Sequence, residues 1–155
     1  MSAIDAIDAV TDRLQTVEGI GPNVYNMVRA AFTDAQFKAI FEDWTTNPQQ
    51  GLVSAWQVTR EATAGKDEVM QAYSRTHSIV MTGFMGFKDG VSEPVFQQLV
   101  ESICAVFDPL SGRHFDGKFD WSGPTNVEAV KLGMLGSVLV HAARLVYPVK
   151  EFPLS

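Results

Sequence analysis

This chain has one cysteine, three histidines, few basic residues and no long apolar run. A lone cysteine, Cys104, excludes a disulfide framework, and with it that argument for export. His77, His114 and His141 stand at no helical metal-ligand spacing from one another. With Cys104 they are a thin supply for zinc, which takes three or four ligands. No metal is expected. No G-x-S-x-G elbow, P-loop or G-x-G-x-x-G occurs, so no catalytic residue and no cofactor is expected either. No apolar stretch approaches the ~20 residues of a membrane span. Met1–Asp8 is acidic and lacks a basic segment followed by an apolar run, so no signal peptide is expected. The chain is expected in a cytoplasm-like compartment, or in a particle assembled there. Twelve basic against eighteen acidic residues leave a net charge of −6. That opposes sequence-independent phosphate binding, which runs on clustered Lys and Arg. It is compatible with a surface that DNA slides past without adhering.

What is present is an ordinary globular balance, 46% hydrophobic and 19% charged over 155 residues. This fits one domain with a core that needs no covalent staple. Ile4, Ile7, Val10, Leu14 and Val17 recur at three- and four-residue spacing, which predicts an amphipathic helix over Ala3–Val17. Gly19 and Gly21–Pro22 end it. Val24–Val28 reads as a short strand and Asp34–Phe41 as a short helix. Ser92, Glu93 and Pro94 mark the start of a second long helix, closed at Asp108–Pro109. Its apolar stripe includes Cys104, which reads as a buried structural thiol. Pro109–Pro124 reads as a loop rich in glycine and aromatics. Two more strands follow, Asn126–Leu135 and Ser137–Val149, with Pro148 suited to an edge or strand end. The fold class expected is α+β, a mostly antiparallel sheet of two hairpins flanked by two long helices and one short one.

The first hairpin is the most informative segment. Two strands, Ser54–Arg60 and Ala72–Phe84, flank a charged arm, Glu61–Gln71, and a turn follows at Gly86–Val91. Both strands look longer and more polar at the arm side than one buried core needs. A hairpin that outruns its core has something else to pack against, which points to assembly. The interface residues this suggests are Glu61, Lys66, Asp67 and Glu68 in the arm, with Arg60 and Arg75 at its base. In the late loop, His114, Phe115 and Trp121 join them, since an aromatic in a glycine-rich loop can anchor an interface. An intramolecular lid over the sheet is an equal reading of Trp121. His114, Asp116 and Asp120 do not match the calcium-loop spacing.

Val17-Glu18-Gly19-Ile20-Gly21-Pro22 resembles the turn of a helix-hairpin-helix DNA-binding motif over about twelve residues. It departs at Tyr25, where that family packs a small residue, and no basic residue follows until Arg29. A second resemblance covers most of the chain. It rests on the Val17–Gly21 turn after the first helix, Ala55-Trp56-Gln57-Val58-Thr59-Arg60, and the strand Arg75-x-His77-x-Ile79-Val80. It continues through the turn Gly83-Phe84-Met85-Gly86, the helix Phe96–Cys104 and the strand Val140-His141-Ala142-Ala143. In this layout the chain is similar to small bacteriophage neck proteins of the tail terminator class, close to the Mu-type gp-thirty-seven-like family. The resemblance implies a structural virion protein and no enzyme. It forms a ring, usually of six copies, that caps the tail tube and faces the head-side connector. In contractile tails it also meets the sheath, and genomic DNA passes through its lumen. A helix-hairpin-helix nucleic-acid binder and a small ligand-binding or enzymatic α+β domain are the other readings.

Overall fold

The computed structural model describes residues 2–45, 52–67 and 73–152. Their order is α1 (Ser2–Leu14), β1 (Val24–Tyr25), α2 (Asp34–Phe41), β2 (Glu42–Asp43), β3 (Leu52–Asp67) and β4 (Tyr73–Gly86). Then come α3 (Ser92–Phe107), a 3-10 turn (Asp108–Leu110), β5 (His114–Phe115), β6 (Phe119–Trp121), β7 (Asn126–Leu135) and β8 (Val138–Glu151). The class is α+β, but the two-hairpin sheet is corrected. The sheet has eight strands and is mixed, because β1 runs parallel to β3. The strands that reading omits, β2, β5 and β6, are two or three residues long, too short to carry a period of two. Two of them, β5 and β6, lie inside the expected Pro109–Pro124 loop.

Four long strands make the frame, in the spatial order β3-β4-β8-β7 and all antiparallel to their neighbours. Each outer strand has one bulge, where Glu61 and Glu128 are the extra residues. A bulge bends its strand and adds right-handed twist, which curls the sheet. β8 has two partners along its far side: β7 opposite Val138–Val146, then β6 opposite Val149–Glu151. Pro148 falls at that seam, and its carbonyl accepts from the Ser122 N–H. The N–H and C=O of one strand residue point to the same side, so the donor that proline lacks faces the seam and not β4. That is how a proline sits inside a paired strand, a correction to the expected edge or end.

α1 and α3 cover one face of the frame. Val10, Leu14, Trp56, Val58, Ile79, Met81, Phe96, Ile103, Phe107, Leu145 and Tyr147 form the main core there. Burying each large side chain stabilises the fold by ~1.5–3 kcal/mol. α2 covers one end of the other face, where Ile40 and Phe41 pack with Val53, Ala55 and Val140. Gly83 and Gly86 belong to β4, not to a turn. Gly83 lies opposite Trp56, and a Cβ there would overlap the indole. α3 spans the residues its start signal predicts, yet Ser92 is not its cap. The Ser92 hydroxyl accepts from the Lys88 N–H at 2.7 Å and lies within hydrogen-bond reach of His141 Nε2 at 2.7 Å and of the Lys88 carbonyl at 3.0 Å. The Ser92–His141 pair is buried and ties the start of α3 to β8.

Candidate assembly surface

The hairpin of β3 and β4 continues well past the helices. β3 is paired to β4 as far as Asp67 opposite Tyr73. From Arg60 to Gly65 every residue is exposed, on both faces of the strand. The alternation of a core strand ends there. The expected arm is thus largely regular strand: Glu61–Asp67 extends β3 beyond the strand end expected at Arg60. Along β3, β1 lies against Trp56 and Gln57, and β2 against Leu52 and Val53. Among the described residues no strand lies against the outer edge from Val58 to Asp67. That edge presents unpaired backbone donors and acceptors.

Each expected interface residue has a definite place. Arg60 is exposed and its guanidinium donates to Thr63 Oγ1 at 3.4 Å. Lys66 and Asp67 are the last residues of β3, opposite Ser74 and Tyr73. Glu68 lies outside the described residues. Arg75 is exposed between Gly65 on β3 and Glu151 on β8. Glu61 pairs within its own chain. It meets Arg144 of β8, whose Nε also donates to Glu128 Oε1 at 2.8 Å. The two bulge residues thus converge on one arginine from opposite edges of the frame. These carboxylates, Glu128 foremost, raise the Arg144 pKa.

Below the arm lies a buried polar chain. His77 is 2% exposed and Glu151 3%. His77 Nε2 stands 3.1 Å from Glu151 Oε1, and Thr63 Oγ1 is 2.9 Å from His77 Nδ1. A carboxylate only accepts, so Nε2 carries the proton. β3, β4 and β8 are tied together at the point where the hairpin leaves the core.

The late-loop residues sit on the same level of the sheet, since Phe119 pairs with Glu151, which pairs with Arg75. His114 is exposed and pairs with Asp120. Phe115 stacks on Phe119 at 4.9 Å and on Trp121 at 4.4 Å. Trp121 is buried, edge-on to Phe107 and Tyr147. It closes the end of its own core, as a lid, and offers little surface to a partner. All three residues line an open cleft of about 630 Å³ shared with Asp5, Asp8, Asp12 and Arg13 of α1 and with Arg113. Lys118 reaches Asp5 across its rim at 3.9 Å. Among the described residues no group of three or more His, Cys, Asp and Glu is placed to hold a metal. Cys104 is half-buried, and burial followed by the charges of Asp108 and Glu101 raises its thiol pKa.

Two features escape a reading of the sequence. The clamp of Arg144 on Glu61 and Glu128 depends on bulges, which leave no local signal. The second is β7. By register, Val127, Val130, Leu132 and Met134 all share the face that the helices cover elsewhere. Among the described residues no helix covers it here: Val127 is 44%, Leu132 52% and Met134 63% exposed. The bulge at Glu128 shifts the parity and hides the stripe from a period-two scan.

The helix-hairpin-helix turn is also placed. Gly19 and Gly21 adopt φ of 85° and 81°, and β1 follows where that motif needs a second helix. No protein-family model and no curated protein sequence matches the chain.

Proposed function

We propose that this chain is a structural protein of a phage neck or tail. It assembles head-to-tail into a ring of six copies that caps the tail tube and ends its polymerisation. The tube protein is the partner on one face and the head-side connector on the other. In a contractile tail the last sheath ring is a further neighbour. The protein acts by surface complementarity, with no bond made or broken. It resides in the virion, and in the host cytoplasm during assembly. DNA traverses the lumen without specific binding, an event that an acidic wall favours.

The observation that carries this reading is the β3–β4 hairpin, which outruns its core and keeps an open edge over Val58–Asp67. Strand addition at such an edge is a general mode of protein association. The layout of the sequence supplies the specific class. The test is to add purified protein to polymerising tail-tube subunits and to image the products by electron microscopy. Rings at tube ends and a sharp fall in mean tube length are expected. Tubes that grow unchanged, with bare ends, overturn the proposal.

A further inference from the structure

We infer that the β7 edge, with its uncovered apolar stripe, receives the arm-side edge of β3 from a second copy of this chain. The inference deepens the ring reading and rests on it.

Strand direction is the first argument. Along β3-β4-β8-β7 every pairing is antiparallel, so β3 and β7 of one copy run in opposite directions. Copies related by rotation about an axis to which the strands are tilted keep the same sense along that axis. The β7 of one copy then meets the β3 of the next antiparallel, the better-paired arrangement. The contact is head-to-tail and closes when the rotation closes.

The second argument is what each edge leaves uncovered. Outside its bulge β7 runs regularly from Ala129 to Leu135, with no strand on its far side among the described residues. Outside its own bulge β3 runs regularly from Ala62 to Asp67, equally open. On β7 the stripe of Leu132 and Met134 continues onto β8 at Leu139, opposite Met134, and onto Phe87, whose N–H donates to the Leu139 carbonyl. Leu139 is exposed too. α1 lies on that same face of β3 and β4, with Ile4 exposed. A neighbour docked through β3 sets the stripe beside the sheet face on which its own α1 packs. A lone foreign strand would pair the edge and leave the stripe wet.

The third argument is the level of the two edges. Val58 is level with Leu145 through Met81, and β7 spans Val146 to Val138. β3 at the levels of β7 is already covered by β1 and β2. Successive copies must be displaced along the strands, as strands are in any closed sheet, where tilt and stagger are linked.

The test uses cross-linking in a Cys104→Ser background. Ala62→Cys or Ala64→Cys marks β3, and Lys131→Cys or Gly133→Cys marks β7. Residues opposite or diagonal in a pair stand about 5–8 Å apart, within reach of a short bismaleimide. Double variants carrying one site on each strand are expected to give a ladder of cross-linked species up to the ring. Single variants are expected to give none. A cross-linked dimer from either single variant overturns the inference, because it requires a two-fold contact. Closed rings in the microscope without a ladder from any of the four pairings overturn it and leave the ring reading standing. A ladder that ends in open filaments supports it and removes the ring reading. Leu132→Lys with Met134→Lys is expected to abolish the ladder at unchanged circular dichroism. An undiminished ladder overturns the role of the stripe.

Discussion

Gly83 stands mid-strand because the Trp56 indole fills the space its side chain would need. The indole is fully buried and stacked on Phe96 at 6.3 Å, so it has nowhere to move. Gly83→Ala is expected to cost about 3 kcal/mol, read as a lower urea midpoint at unchanged slope. His77 has the opposite character, a polar group that the core accepts because it is fully bonded. His77→Leu leaves the Glu151 carboxylate buried without its donor and is expected to cost about 3 kcal/mol. His77→Leu combined with Glu151→Met should recover most of that loss. A double variant no more stable than the single one would mean that another group bonds Glu151. Burial raises the pKa of Cys104 and of Tyr147. The folded chain therefore holds these protons to higher pH than the unfolded chain does. Stability should fall as pH rises through the ordinary cysteine and tyrosine range, about 8.5 to 10. Urea midpoints at neutral and alkaline pH measure this, and Cys104→Ser should remove the earlier part of the fall.

The long hairpin is two things in one element. Up to Thr63 and His77 it belongs to the core, through the link to Glu151. Beyond them Ala64, Gly65 and Arg75 are exposed, while Ser74 is buried. Removing Ala62–Met70, most of the arm, would take Thr63 from the buried chain and test the fold as much as the arm. The cleaner cut replaces 67–73 by Asn-Gly, a two-residue hairpin turn, closing on the Lys66–Ser74 pair. The thermal midpoint should move by less than about 4 °C, or about 1 kcal/mol, while tube capping is lost and ring formation, whose β3 edge keeps Ala62–Lys66, persists. A truncated chain that still caps tubes would reduce the arm to a connection. The helices were more legible than the strands. α2 matches its expected span, and α3 begins at Ser92, because caps and a period near 3.6 act within a few residues. The expected Ala3–Val17 helix stops at Leu14, and the apolar spacing continues only into the turn, where Val17 and Ile20 are buried.

At the scale of the molecule, the two hydrophobic cores share β3 and β8. Neither core can open without breaking strands that the other needs. Tryptophan fluorescence and far-ultraviolet circular dichroism should therefore report one coincident urea transition. Two separated transitions would divide the chain into independent units. The asymmetry between the sheet's margins also exists only at this scale. At one margin β1 and β2 block part of β3 and leave its arm end open. At the other, β7 carries an apolar stripe that no helix among the described residues covers.

The amino-acid sequence by itself determined the α+β class, the amphipathic helices, the existence of a long polar-ended hairpin and an acidic balance. These follow from periodicity, caps and charge, which are properties of neighbouring residues. Only the tertiary structure decided that Glu61 serves an internal clamp, that Trp121 faces inward, and that the uncovered edges lie at opposite sides of one sheet. Those outcomes depend on register between strands far apart in the chain. A single bulge changes which side chains share a face, and the residues flanking it do not announce it.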